Sequence, residues 1–381
     1  MVAVMGARQV GKSTLVRRLP ALRGHLYLSL DDLDLRLQAQ ADPRALLGRG
    51  ERLILDEVQR VPELLLAIKR SVDEARVPGR FVLTSSAHLL HAHLAETLAG
   101  RAAHLVLWPM TRREQRGLGR AGPWGELLAA SVEAWLSLLR KGEAEREDWR
   151  LAVARGGFTA PALHLEDREE RQLWFRGHLQ TYPERDVPVL WAVENLPELR
   201  KLMEALALRS GSLLNQSELA RDLGISQPTV HRYLNLLEVS FLLVRLRAYA
   251  RSRTKRLVKS PKIYLPDPAL ALSLTGGKPS GATWRPWPSW TCWPHAQGKP
   301  PGLYYRRTAS GQEVDFVPEA EEKLLPVEVK ATSRPTPKDA QGLLAFLAEY
   351  PEVPGRLLLH GGEEVFPLAD RVVAAPWWRV A

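Results

Sequence analysis

The sequence predicts an α/β fold that opens with a parallel sheet flanked by helices, followed by a helical middle and a smaller α/β unit. Three observations predict it. The apolar run Val2 to Met5 leads straight into GARQVGKST. A second apolar run, Leu53-Ile54-Leu55, ends in Asp56-Glu57. Far downstream, GQEVDFVPEAEEKLLPVEVKA (311–331) places Asp315 on one strand and Glu328-x-Lys330 on the next.

The first element is a buried strand that ends in a loop of the form Gly6-x-x-x-x-Gly11-Lys12-Ser13. Glycines let the backbone curl so that successive N–H groups point at phosphates. Lys12 reaches the β- and γ-phosphates, and the Ser13 hydroxyl holds Mg²⁺. STLVRRLPAL continues as a helix whose amino terminus faces the anion. Gly6, Gln9, Val10, Gly11, Lys12, Ser13 and Thr14 are the expected contacts to ATP. In the next element, Asp56 at the end of its strand is the second expected metal ligand. Glu57 beside it is the expected general base, polarising the attacking water. RFVLTSSAHLL (80–90) is a third strand, with Ser86 among the small hydroxyls that could sense the γ-phosphate. LAGRAAHLVLWPM supplies another strand and Arg101, which could touch phosphate directly, reach it across a subunit boundary, or cap a helix.

From Thr111 to about Ile225 apolar residues recur at three and four, a helical period interrupted at Gly156-Gly157-Phe158. Arg185 lies in this stretch, as an arginine finger for a neighbour's nucleotide or as part of a salt-bridged helix. Residues 216–238, QSELARDLGISQPTVHRYLNLLE, read as a helix-turn-helix. Leu219, Ala220 and Leu223 bury the first helix, Gly224 makes the turn, Ser226 caps the second helix and Pro228 fits its first turn. Val230, Tyr233, Leu234 and Leu237 face inward. Gln227, Thr229, His231, Arg232 and Asn235 are left outward, where they could meet base edges or phosphates. RSRTKRLVKSPK follows, with six basic residues in twelve (251–262). It reads as a hairpin wing that could set Arg253, Lys255 and Arg256 against DNA phosphates. Protein contact is the other use of such a module.

In the last unit, alternation in VEVK sends Glu328 and Lys330 to one face of a strand. Two carboxylates and a lysine can bind Mg²⁺ and activate water, as in nucleases of this fold class. The stretch 281–295, GATWRPWPSWTCWPH, has Trp284, Trp287, Trp290 and Trp293 at steps of three. An aromatic platform for single strands is one reading. A pair of compensating frameshifts in a GC-rich gene is the favoured one, because the single tryptophan codon, shifted by one base, becomes a leucine codon. Residues 281–295 would then replace a helix, and Cys292 would carry no function.

These blocks together resemble the bacterial and archaeal AAA-type ATPases that carry a conserved C-terminal domain of unknown function. The resemblance runs through GARQVGKSTL, LILDEVQRVPELLLAIKRSVDE, GRFVLTSSAHLL, LAGRAAHLVLWPMTRRE, LQTYPERDV, the helix-turn-helix, KRLVKSPKIYLPDPALA and YYRRTASGQEVDFV…LLPVEVKA. It implies an ATPase core, a winged helix and a terminal fold similar to restriction endonucleases. Two departures stand out. The family has a further stretch before the first strand, so the start here is expected to be late. Pro183 stands where an apolar helix former is usual, and could kink its helix.

The expected organisation is a P-loop domain (1–115), a helical connector (116–200), a winged helix-turn-helix (201–265) and a restriction-endonuclease-like unit (266–381). Composition is compatible with this. The 381 residues suit two or three domains, and 45% apolar with 25% charged residues is a globular balance. A net charge of +10 favours polyanions. No run of about 20 apolar residues suggests a membrane span. One cysteine rules out an internal disulfide and suits the cytoplasm, as does a first motif that leaves no room for a signal peptide. The expected activity is a Mg²⁺-dependent ATPase in a homo-oligomer, driving a half that contacts DNA or protein. The alternatives are a nucleotide-switched DNA-binding regulator and a Mg²⁺-dependent nuclease at Asp315, Glu328 and Lys330.

Overall fold

A computed structural model describes residues 1–86, 100–119, 122–141, 145–185, 195–276, 302–308 and 310–381. The tryptophan-rich stretch 281–295, with Cys292, lies outside the described residues. So does Asp186 of LQTYPERDV.

The amino-terminal sheet is built from β1 (Val2–Met5), β2 (Leu26–Ser29), β3 (Leu53–Asp56), β4 (Phe81–Ser85) and β5 (Ala103–Val106), in the order β2-β3-β4-β1-β5. Every neighbouring pair is parallel. β1, β3 and β4 read as continuous apolar runs because helices cover both faces of a parallel sheet. Leu53, Leu55, Phe81 and Leu83 are fully buried on one face, while Val4, Ile54 and Val82 pack with Val16 on the other. The strand order matters for the site. β4 lies between β1 and β3, so the residues at its end fall between the glycine-rich loop and the acidic pair. The four expected strands are all present.

The second sheet joins β6 (Val244–Ala248), β7 (Lys262–Tyr264), β8 (Gly302–Arg307), β9 (Glu313–Ala320), β10 (Lys323–Leu324), β11 (Val327–Lys330), β12 (Arg356–His360), β13 (Phe366–Ala369) and β14 (Val372–Pro376). Its order is β13-β14-β12-β11-β9-β8-β6-β7, with β10 paired to β9 alone. β11, β12 and β14 are parallel neighbours, and the crossover helix Gln341–Glu349 joins β11 to β12. That helix buries Leu343 and Phe346 against Val317, Leu358 and Ala374. The opposite face carries Phe316, Val327, Val329, Leu357 and Leu359. Helices Trp124–Ala129, Val132–Arg140 and Trp149–Arg155 close that face with Trp124, Trp135 and Trp149. The stretch expected to be a connector is therefore divided by its packing. Its first helices belong to the carboxyl-terminal sheet. Phe158 and Phe175 instead join the core that continues into β1, β3 and β4.

The pair Gln216–Leu223 and Gln227–Val239 forms as the sequence indicates. Gly224 adopts φ 68°, and the Ser226 side chain accepts from the Thr229 N–H. The basic run after it differs from the expected hairpin wing. β6 and β7 do pair antiparallel, but the chain between them forms the helix Arg253–Val258. Ser252 caps this helix, and Arg256 is drawn into a bidentate pair with Glu319 on β9. The helix Arg168–Arg185 continues through Pro183 to its last residue. No helix among the described residues is long and apolar enough to cross a membrane.

Candidate functional site

The glycine-rich loop has its conformation set by sterics. Gly6 has φ +153°, and a β-carbon there would sit 2.1 Å from the Leu107 carbonyl oxygen. Gly11 has φ +99°, and Gln9 between them also has a positive φ of 64°. Alternating left- and right-handed residues turn backbone N–H groups into one concavity, a nest for anions. Lys12 is almost fully buried, and its ammonium donates to the carbonyls of Gly6 (3.1 Å) and Ala7 (3.0 Å). An open cleft of about 280 Å³ is lined by Arg8, Gln9, Lys12, Ser13, Glu57 and Thr159, among others. A wider hollow of about 550 Å³ lies between Asp42–Gly48 and Glu63–Glu74. It holds no such grouping, so chemistry rather than volume singles out the cleft.

The acidic segment arrives where the sequence requires it. The Ser13 hydroxyl donates to Asp56 at 2.9 and 3.0 Å, across 43 residues of chain. Asp56 is buried and carries two further donors, the Tyr27 hydroxyl at 2.6 Å and the Thr84 hydroxyl. Tyr27 has its own proton held tightly, pushed up to about 12 by burial and by Asp56. Thr84 also accepts from the Glu57 N–H at 3.0 Å, so a single hydroxyl fixes both acids. Glu57 stands in a left-handed conformation, φ 58° and ψ 46°, that turns its side chain out of the strand. Gln59 donates to the Glu57 carboxylate and, at 2.8 Å, to the Ser86 hydroxyl. Ser86 thus shares a Gln59 partner with Glu57.

A hydroxyl and a carboxylate converging at the mouth of an anion nest make a hard-oxygen donor set. Ser13 and Asp56 therefore fit Mg²⁺. The Val10 side chain is buried in the sheet core, so only its backbone is left to face a nucleotide. Arg101 is not with this group. It lies beyond the opposite end of β1, where its carbonyl accepts from the Met1 amino group and its guanidinium holds Asp73 at 2.7 Å. Within one chain it does not meet the loop at the carboxyl end of β1.

Four contributors carry no local sequence signal: Tyr27, Gln59, Thr159 and His178. Thr159 donates to the Gln9 carbonyl at 2.9 Å, and the His178 Nδ1 lies 2.8 Å from the Gln9 side-chain oxygen. His178 stacks on Trp174 at 5.1 Å. Burial, helped by the Arg8 charge, lowers its pKa to about 4, so it is neutral near pH 7. Both residues come from the segment after Gly156-Gly157, more than 140 positions from the loop, where only the folded chain brings them together.

The second cluster also assembles. The Asp315 Oδ2 accepts from the Val329 N–H at 3.1 Å, and Glu328 accepts from the Asp315 N–H at 3.3 Å. Lys330 pairs with Glu328 at 2.8 Å. Burial, and then the Asp315 charge, push the Glu328 carboxyl up to about 8. Among the outward helix residues, Gln227 and His231 are exposed while Thr229 and Arg232 are half-buried. His231 also meets Asn235 at 3.1 Å. Lys255 is exposed. Nothing is described of the Arg253 side chain. Arg256 is withdrawn from any phosphate by Glu319 and by the faces of Tyr249 and Tyr304.

Residues 1–115 match the AAA domain family. That match, with this geometry, supports nucleotide binding and an ATPase-type function in general. Residues 146–281 match a domain of unknown function, DUF8612, and residues 292–380 another, DUF4143. Uncharacterized proteins of Mycobacterium bovis and Mycobacterium tuberculosis are each 29% identical to this chain, covering 99% of it and 80% of their own length. An uncharacterized protein of Methanocaldococcus jannaschii is 26% identical, over 70% of this chain and 61% of its own.

Proposed function

We propose that this chain binds ATP with Mg²⁺ in the 6–14 loop, hydrolyses it, and passes the change to its carboxyl-terminal half. The observation that carries this reading is the contact of Ser13 with Asp56, with Glu57 turned out beside them into the same cleft. When bound, magnesium supplies positive charge against the phosphates. The chain's own residues do the rest. Loop N–H groups and Lys12 hold the phosphates, Lys12 exchanging its carbonyl partners for phosphate oxygens. Thr84 and Tyr27 hold Asp56 in orientation by donating to it. Glu57, steadied by Gln59, takes the proton of the attacking water as its oxygen bonds to the γ-phosphorus and the bond to the β-phosphate oxygen breaks. Ser86 shares the Gln59 amide, so a change at the γ-phosphate is felt by the base.

Transmission is supported by a continuous path. Gln9 of the loop is held by Thr159 and His178, which follow the Gly156-Gly157 joint. The Gly157 N–H donates to buried Asp267 at 2.6 Å, and Asp267, just after β7 of the second sheet, caps the helix Pro268–Thr275. On this reading the helix pair with β6 and β7 is a winged helix, and β8 to β12 with their crossover helix form a restriction-endonuclease-like unit. Homo-oligomers would then let Arg101 or Arg185 serve a neighbour's site. Steady-state phosphate release tests the proposal. Lys12→Ala should abolish turnover, and Glu57→Gln should slow it about 100-fold or more while ATP still binds. Undiminished turnover in Glu57→Gln would remove the assigned base.

A second reading, a DNA-binding regulator with nucleotide as its switch, is favoured by the exposed Gln227, His231 and Lys255. ATP binding without turnover, with DNA affinity that depends on nucleotide, would select it.

A further inference from the structure

Asp315, Glu328 and Lys330 have the spacing of a metal-dependent phosphodiesterase, yet their surroundings do not fit a divalent cation. All four carboxylate oxygens already have donors in the chain. Asp315 takes the Val329 N–H on one oxygen and the Lys262 ammonium, at 3.4 Å, on the other. Glu328 takes the Asp315 N–H on one and the Lys330 ammonium on the other. A metal would have to displace two tethered ammonium groups from a pocket in which Asp315 and Lys262 are each only 1% exposed. The further acid nearby, Glu313, is itself held by the Lys262 ammonium. No group of three His, Cys, Asp or Glu among the described residues is placed to hold a metal. From Pro268 to Gln312 the sequence contains no Asp or Glu at all.

Lys262 makes the arrangement intelligible. It lies on β7, last in the strand order, and its ammonium meets Asp315 on β9. Its ammonium bridges Glu313 and Asp315 and faces the ring of Tyr305 at 5.5 Å. Burying such a charge is costly unless it is paired with good geometry, and here two carboxylates pair it. We propose that the Lys262 ammonium is the resident cation of this cluster, standing in the place of a divalent metal. The module therefore takes no Mg²⁺ and cleaves no phosphodiester. Its carboxylates instead fasten β7, which follows the helix pair, to the centre of the second sheet.

The test uses full-length, nucleotide-free protein titrated with Mn²⁺, free ion being counted by its electron paramagnetic resonance. Wild type and Asp315→Asn should bind alike, because the wild-type cluster takes no metal. Lys262→Gln should gain one site, at least about tenfold tighter than any in wild type, and Lys262→Gln with Asp315→Asn should lose it. Weak binding near Ser13 and Asp56 is common to all four proteins and subtracts. A wild-type site abolished by Asp315→Asn would overturn the proposal. So would a Lys262→Gln protein that folds by circular dichroism and gains nothing. Should a variant fail to fold, wild type compared with Glu328→Gln still decides: a site lost in Glu328→Gln overturns the proposal, and equal binding upholds it.

Discussion

A methyl group at Gly6 would land on the Leu107 carbonyl, and only glycine adopts that backbone readily. Gly6→Ala should therefore cost about 1–3 kcal/mol in stability, read as a lowered melting temperature, and should also weaken ATP binding measured by calorimetry. Unchanged values for both would show that the loop can relax away from β5. Glu328 gives a pH-dependent prediction. Its folded pKa, about 8, lies above its ordinary 4.5, so folding favours the protonated form. The stability this contributes is complete below about pH 4.5 and is lost as pH rises toward 8, at ~1.4 kcal/mol per unit of difference. Melting curves should show Glu328→Gln gaining on wild type between about pH 4.5 and pH 8 and levelling off above, by a few kcal/mol at most. Residues of this kind were legible wherever chemistry is local. Lys12, Ser13, Asp56 and Glu57 announce themselves by sitting at strand ends in fixed motifs. Tyr27, Gln59, His178 and Lys262 do not, since each acts on a partner that the fold, not the spacing, brings near.

At the scale of elements, buried parallel strands were readable as short apolar runs, and the helix pair as capped periodic segments with a glycine between them. The segment 251–262 was not. Its basic composition suggested a hairpin tip, but Ser252 offers a cap and Arg256 finds Glu319 some 63 positions away, and together these favour a short helix. The two cations should consequently behave differently. On the DNA-binding reading, Lys255→Ala should weaken DNA binding and reduce the salt slope by about 1, followed by fluorescence anisotropy across salt concentrations. Arg256→Ala should leave that slope alone and instead lower the melting temperature, by about 1–3 kcal/mol of stability, because Glu319 loses its partner. A reversal of these two effects would return Arg256 to the phosphate-binding face.

For the whole molecule, the order of units along the chain does not match the order of packing. Trp124, Trp135 and Trp149 precede the second sheet by about a hundred residues or more, yet they cover it. A fragment of residues 201–381 should therefore lack a cooperative thermal transition by circular dichroism, whereas full-length protein should show one. Each uncovered tryptophan forfeits about 3–5 kcal/mol of packing. Sequence periodicity showed that residues 124–155 are helical, but not which sheet they serve. Contacts at that range leave no trace in local pattern.

β6 and β7 belong to the same hydrogen-bonded sheet that runs on to β13. The helix pair and the far edge of the molecule are thus mounted on one stiff beam. Turning the one without the other would break rungs of the ladder between β6 and β8. On the proposed coupling, a stroke begun at the nucleotide would carry this beam as one body rather than flex it.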